Sequence, residues 1–354
     1  MKKRIFLIFL VLCLSSALWA QDIPSLDEFQ VPFETFASEI ANSLPMASTI
    51  GLQWSDAYIK NFPHLGFGVS AGGVLLPVEA FDALSDFLPV GDFDVSNFLP
   101  ATFPSWLAGI PFPAYAVDFR LGGFKIPFDL GFKIGFIPKI WQDDVNNMLS
   151  GLDMELDYLL IGGDFRYALL KQNKKLRPNL SIGAGYNFFR GGVGKSLTDY
   201  GTSQILSVPD PDNLGSTIDY TVGIEDPSLN FGWTAHVIDA KVQLSKRILY
   251  IMTPYVGVGA SYARATAGGG IEANVTGITD AEISELNAAL AAAGQEPLDI
   301  SDQGIIFEDG VNGWAFRAYG GLSLNIFWLK IDPSLMYNFI DQTVGFQVSV
   351  RLQF

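Results

Sequence analysis

Residues Thr343 to Phe354 read TVGFQVSVRLQF, and this stretch alternates without an error. Val344, Phe346, Val348, Val350, Leu352 and Phe354 fall on one face, and Thr343, Gly345, Gln347, Ser349, Arg351 and Gln353 on the other. Side chains of a strand point to opposite faces with period two, so this is a strand with one apolar wall and one polar wall.

The same period recurs upstream. Leu65, Phe67, Val69 and Ala71 oppose Gly66, Gly68, Ser70 and Gly72; Tyr115, Val117, Phe119 and Leu121 oppose Ala116, Asp118, Arg120 and Gly122. Phe128 to Phe136, Leu180 to Phe188 and Trp314 to Trp328 repeat the pattern. No stretch after the first 20 residues approaches the ~20 apolar residues of a membrane helix. Hydrophobic residues still make up 49% of the chain, with 28 Phe, so they are spread in alternation, as a barrel in lipid requires.

At the N-terminus, Lys2, Lys3 and Arg4 precede an apolar run from Ile5 to Leu14 and then small residues, the layout of a cleaved export signal over residues 1–20. Cleavage after Ala17 or after Ala20 fits. The single cysteine, Cys13, lies inside that signal, so the mature chain is expected to lack disulfides, thiol nucleophiles and Cys metal ligands. Removing the signal leaves 19 Lys and Arg against 37 Asp and Glu, a balance that argues against nucleic acid, which needs a cationic footprint.

Two segments change phase. Leu152, Met154, Leu156, Tyr158 and Leu160 give way to Phe165, Tyr167 and Leu169; Phe231, Trp233, Ala235 and Val237 give way to Ala240, Val242 and Leu244. Either a β-bulge near Leu160 and Ile238 corrects the register, or these strands rise beyond the membrane. With the C-terminus in the periplasm, short joints fall inside at Asn61–Pro63, Phe124–Pro127, Lys171–Arg177, Lys246–Tyr250 and Leu329–Asp332. The long connections fall outside, as expected of such barrels.

About ten strands are counted from His64, eleven with an extended piece from Ala47 to Lys60. Because bacterial barrels have even numbers, about twelve (range 10–14) is favoured, another strand being sought near Ile218–Ile224. Phe33, Phe36, Ile40 and Leu44 recur at helical spacing, with Pro32 to start and Pro45 to stop a helix. The expected domains are thus a helical plug over residues 21–45 and a barrel over 46–354. Helices are also expected in outer loops: Phe81, Leu84 and Leu88 form one stripe, and Ile283, Leu286 and Leu290 another behind a Thr279/Glu282 capping box.

Gly191 to Ser196 lacks the first glycine of a phosphate loop, since Phe189 stands there, and no strand-to-helix unit follows. His64 and His236 stand alone; His236 is expected inward beside Thr234 as a solvated lumen side chain. No enzyme, cofactor or metal site is expected, although Asp210, Asp212 and the acidic 267–312 loop offer oxygens of the kind Ca²⁺ takes. The inward charges are the most informative group: Asp118, Arg120, Asp129, Lys133, Arg166, Lys241, Arg317 and Arg351, with Asp164 and Asp239 within reach. Folding the Phe124–Pro127 turn should pair Asp118 with Lys133 and Arg120 with Asp129.

The terminal strand ending on Phe354 resembles the closing strand of bacterial outer-membrane β-barrels, which that family's assembly machinery recognises. The fold expected is an all-β, transmembrane, antiparallel up-and-down barrel. The order of parts, with a helix before the barrel and apolar outer-loop helices, is similar to the long-chain fatty-acid transporter family. That resemblance implies a hatch (Phe33, Phe36, Ile40), an outer capture surface (Phe81, Leu84, Leu88, Ile283, Leu286, Leu290), a lateral exit at a kinked strand and a hydrophobic substrate. The family's Asn-Pro-Ala hatch signature is absent, with Leu44-Pro45-Met46-Ala47 in its place, and the chain is short for that family's fourteen strands. The expected setting is a monomer in the outer membrane, in contact with the lipid bilayer. A general porin with cationic selectivity residues, or a surface-interaction protein anchored by its barrel, are the other readings.

Overall fold

The computed structural model describes residues 26–77, 109–138, 154–172, 177–196, 202–209, 217–248, 250–276, 279, 284 and 305–354. Helix α1 (Leu26–Ala47) precedes eleven strands: β1 (His64–Leu76), β2 (Ile110–Gly122), β3 (Phe128–Phe136), β4 (Met154–Leu170), β5 (Asn179–Ser196), β6 (Thr202–Pro209), β7 (Thr217–Ser245), β8 (Met252–Thr276), β9 (Ile305–Ile326), β10 (Leu329–Asn338) and β11 (Val344–Gln353). The expected signal and the two expected outer-loop stripes lie outside the described residues.

Strands β1 to β5 pair in chain order, β5 pairs with β7, β7 to β11 continue in order, and β11 pairs back onto β1 over Gly66–Leu75. Every ladder is antiparallel and the wall is a closed ring of ten. β6 stands off the ring, pairing with Thr217–Ile224 of β7, whereas β5 takes Ser228–Ser245 of the same strand. Ten is two fewer than the favoured twelve and the bottom of the expected range. Residues 47–60 enter no ladder, and Ile218–Ile224 is the far end of β7 rather than a separate wall strand. The wall therefore begins at His64, not Met46.

The face away from the lumen is apolar. Phe67, Val69, Phe119, Phe132, Ile134, Phe165, Ile182, Val242, Val258, Leu335, Val348 and Val350 are all exposed. In water so large an apolar surface would not persist on a monomer, and in hydrocarbon it is the required exterior. Aromatic side chains gather at both rims: Phe62, Phe124, Phe128 and Phe165 form a chain of ring contacts at one end, joined by Trp328 against Phe354, and Tyr262, Trp314 and Phe316 form another at the opposite end. These are the girdles of a spanning barrel. Short joints lie at the end carrying Phe354, with the last turn at Phe327–Trp328, slightly before the position expected.

Neither anticipated bulge exists. β4 keeps one register with β3 and β5 through Leu160, its only shift falling between Ala168 and Leu170. β7 runs in register past Ile238, its shift lying between Glu225 and Ser228. Inward parity is constant: Tyr158, Leu160, Asp164 and Arg166 all face the lumen, as do Ala235, Val237, Asp239 and Lys241. The sequence changes phase because the lumen changes polarity with height. Its outer half is apolar and its inner half ionic, so the outward-only apolar rule holds for the inner half alone. His236, on the other parity, faces outward and not into the lumen, where Tyr186 Oη contacts its Nδ1 at 2.7 Å.

Phe132→Arg puts a cation on the lipid face of β3 and should lower unfolding free energy in lipid by roughly 2–4 kcal/mol, the cost near the bilayer midplane. Urea titration of heat-modifiable gel mobility measures it; an unchanged midpoint would place Phe132 outside the hydrocarbon.

Candidate functional site: a filled lumen and a notched wall

α1 and residues 48–60 lie inside the ring. In the outer half Ile40, Ala41 and Leu44 pack against Val74, Leu76, Phe112, Leu160, Phe189, Ala235, Val237, Ala263 and Ala265. The Phe36 and Phe231 rings meet at 5.0 Å. Burial, and next the carboxylate of Asp341 in the β10–β11 turn, push the Glu39 carboxyl up. The helix begins at Leu26, six residues before Pro32, and runs through Pro45 to Ala47. It ends where Ser48 N donates to Leu44 O and the Ser48 and Thr49 hydroxyls donate to the carbonyls of Pro45 and Met46. Gly51 then turns the chain at φ +101°, a conformation that side chains resist.

Irregular backbone at membrane depth must have all its polar groups bonded. Here the wall supplies them. Lys133 Nζ donates to the carbonyls of Ser48 and Ile50, and Lys241 Nζ to Leu52 O at 2.9 Å. Gln243 donates to the carbonyls of Trp54 and Ser55, Arg166 to Asp56 O, and Ala57 N donates to Ser245 Oγ. Trp54 Nε1 donates to Asp118 at 2.6 Å, with its ring between the Arg120 and Arg351 guanidiniums at 5.1 and 4.7 Å. The ring also presses on Gly66, where a Cβ would come within 2.2 Å of it, so the glycine face of β1 is a socket for this indole.

The anticipated inward charges all lie in this network. Arg120 pairs with Asp129 at 2.6 Å and Asp164 at 2.7 Å; Arg166 pairs with Asp129 at 2.6 Å; Lys241 with Asp164 and Arg317 with Asp239, each at 2.7 Å. Arg351 pairs with Asp332, and Lys330 with Asp56. The Arg120–Asp129 pair is the one expected. Asp118 and Lys133 do stand opposite in register, but each turns instead to the inner segment, the acid to Trp54 and the amine to backbone carbonyls. Asp56, Lys330, Asp332 and Trp54 were not anticipated. Lys330 and Asp332 sit where the sequence suggests a turn, and nothing local marks Asp56 or Trp54 as lumen groups. Among the described residues seven buried cations face six buried acids, although the chain carries a formal charge of −15. Near balance at full burial makes this a structural filling, not a lining that selects ions. Ile40 and Phe36 lie inside the barrel, Phe33 belongs to α1 with its side chain outside the described residues, and so are Phe81, Leu84, Leu88, Ile283, Leu286 and Leu290.

No family model and no curated protein matches the chain. Among solved structures it is similar to the transport unit of the autotransporter AIDA-I from Escherichia coli (10% identity, 90% of this chain and 98% of that one, TM-score 0.31). It is also similar to a Pseudomonas aeruginosa FadL homologue (10%, 90% and 94%, 0.22) and to the CymD monoaromatic hydrocarbon channel (11%, 83% and 88%, 0.22). Likeness at this level carries no activity over to this chain.

One sector of the wall is incomplete among the described residues. β3 pairs with Val117–Gly122 of β2 and with Leu159–Tyr167 of β4, and among the described residues no strand lies between Ile110–Ala114 and Met154–Tyr158. The gap is bridged by Tyr158, whose hydroxyl accepts from Tyr115 N and donates to Tyr115 O, both at 2.8 Å, with the rings stacked at 4.5 Å. Tyr115 N–H thus points into the notch. Pro111 and Pro113 share its parity, so the sequence removes the donors that would be unpaired there, as at an edge strand. Behind the tyrosines lie Phe112, Leu160 and Phe189, the apolar half of the lumen.

Asp129→Asn leaves Arg120 and Arg166 without full compensation and should destabilise the barrel by roughly 3–5 kcal/mol, the usual loss on breaking a buried ionic group. Chemical unfolding in detergent measures it; a loss below 1 kcal/mol would mean that water reaches this network.

Proposed function

We propose that the chain is an outer-membrane channel for hydrophobic or amphipathic small molecules such as long-chain fatty acids, closed in this state by residues 26–60. The carrying observation is the apolar half of the lumen, filled by α1 and bordered by the stacked rings of Tyr115 and Tyr158 where, among the described residues, no strand lies between the ends of β2 and β4. α1 occupies that region with Ile40, Ala41 and Leu44, so the cavity complementary to it is already shaped for an apolar cylinder. A tail entering from the outer mouth would compete with the helix, gain ~0.8 kcal/mol per methylene buried and leave sideways into lipid between β2 and β4. The outer-loop stripes Phe81, Leu84, Leu88 and Ile283, Leu286, Leu290 are the proposed capture surface. Phe354 presents the strand read by the assembly machinery, and the barrel acts as a monomer.

Purified protein should bind a fluorescent long-chain fatty acid, and both Ile40→Asp and Leu286→Asp should change that binding several-fold. No binding by the unaltered protein would overturn the proposal. In planar bilayers the unaltered protein should show near-zero conductance; steady large open steps would instead favour a porin. The ribbon of β6, β7 and β8 beyond the ring favours one second reading, a surface-interaction protein. Deleting residues 277–298 without loss of uptake would support it.

A further inference from the structure

Strands β7, β8 and β9 carry a polar row on their lipid side. His236 stands opposite Arg264 in register, and Arg264 opposite Asn312. All three are exposed and share outward parity with Ile238, Val258 and Phe316 below them. Ser245 marks the inner end of β7, and at ~3.3 Å per residue with a tilt of ~40° His236 lies about 23 Å above it, the height at which an apolar band of ~25 Å ends. The aromatic girdle of Tyr262, Trp314 and Phe316 lies immediately beneath.

The donors are oriented. Tyr262 Oη donates to Asn312 Oδ1 at 2.8 Å, which leaves the amide Nδ2 as the free donor. Tyr186 Oη lies 2.7 Å from His236 Nδ1; with the hydroxyl donating, the ring proton sits on Nε2 and is left for another acceptor. Arg264, the middle member, has no ion pair among the described residues, whereas Arg190 on the same rim lies 3.8 Å from Asp157. Three donors, one of them a permanent cation, with no carboxylate among them, stand at the depth of lipid headgroups on a protein that is acidic overall.

We propose that Arg264, His236 and Asn312 hold the phosphate of an anionic lipid of the outer leaflet, with Tyr186 and Tyr262 positioning two of the donors. Guanidinium and phosphate match in charge and geometry, and the lipid's acyl chains would lie along Ile238 and Val258. The leaflet rests on the orientation expected from the sequence, with Phe354 at the periplasmic end; fatty-acid binding plays no part in it.

Native mass spectrometry of the detergent-solubilised protein with bisphosphorylated lipid A, and with the same lipid stripped of both phosphates, tests the site. The phosphorylated form should be retained and Arg264→Glu should reduce it about tenfold, whereas Arg190→Glu should leave it nearly unchanged. Equal retention of the two lipids, or of lipid A by the Arg264→Glu variant that still shows heat-modifiable mobility, would overturn the site. Thr266→Cys, adjacent to the row, should react with a membrane-impermeant maleimide on intact cells. Failure to react would overturn the leaflet assignment, and fatty-acid binding, measured separately, would be unaffected by either result.

Discussion

In hydrocarbon no backbone N–H or C=O can be left without a partner, and the ladder between β1 and β11 is what meets that condition for the sheet as a whole. Closing at ten strands fixes a lumen wider than side chains alone fill and narrower than an open porin. The remaining volume is taken by the chain's own N-terminal segment. Everything else in the interior follows from fitting that segment: glycine sockets such as Gly66 admit its bulk, and long cations reach across to its carbonyls.

The interior has two physically different halves. Toward the outer mouth, helical backbone satisfies itself, so the surrounding wall can be apolar, and Ala235, Val237, Ala263 and Ala265 are small enough to admit a helix. Toward the inner end the segment is irregular and its carbonyls need external donors. There the wall turns to Lys133, Arg166, Lys241 and Gln243, and their acidic partners follow from the need to compensate buried charge. An apolar half bordered by the stacked Tyr115 and Tyr158 rings, with an ionic floor below, is the physical basis of the proposal made above.

Much of this was legible in the sequence. Period two gave the lipid face of most strands, and parity alone placed Arg120, Asp129, Arg166, Arg317 and Arg351 in the lumen. Parity failed where its premise failed. Tyr158, Leu160, Ala235 and Val237 are apolar and inward because they meet α1, so a rule that assigns apolar residues to lipid implies a slip that the ladders do not contain. His236 was misplaced by the same slip. The expected pairing of Asp118 with Lys133 fails for another reason: register brings them together, but a third partner, the segment from Ser48 to Asp56, outcompetes each for the other. Strand count went high because residues 47–60 look extended, and an extended chain bonded by side chains resembles a strand until its partners are known.

The central claim is that residues 48–60 thread the lumen of a closed barrel. Ala57 N donates to Ser245 Oγ at 2.8 Å, so cysteines replacing Ala57 and Ser245 would lie side by side across the interface between segment and wall. The chain's only native cysteine is Cys13. In membranes from cells expressing the double variant, mild oxidation should form the 57–245 disulfide in nearly all of the heat-modifiable protein, visible as a shift in gel mobility reversed by reductant. Folded protein that forms no such crosslink would contradict the account.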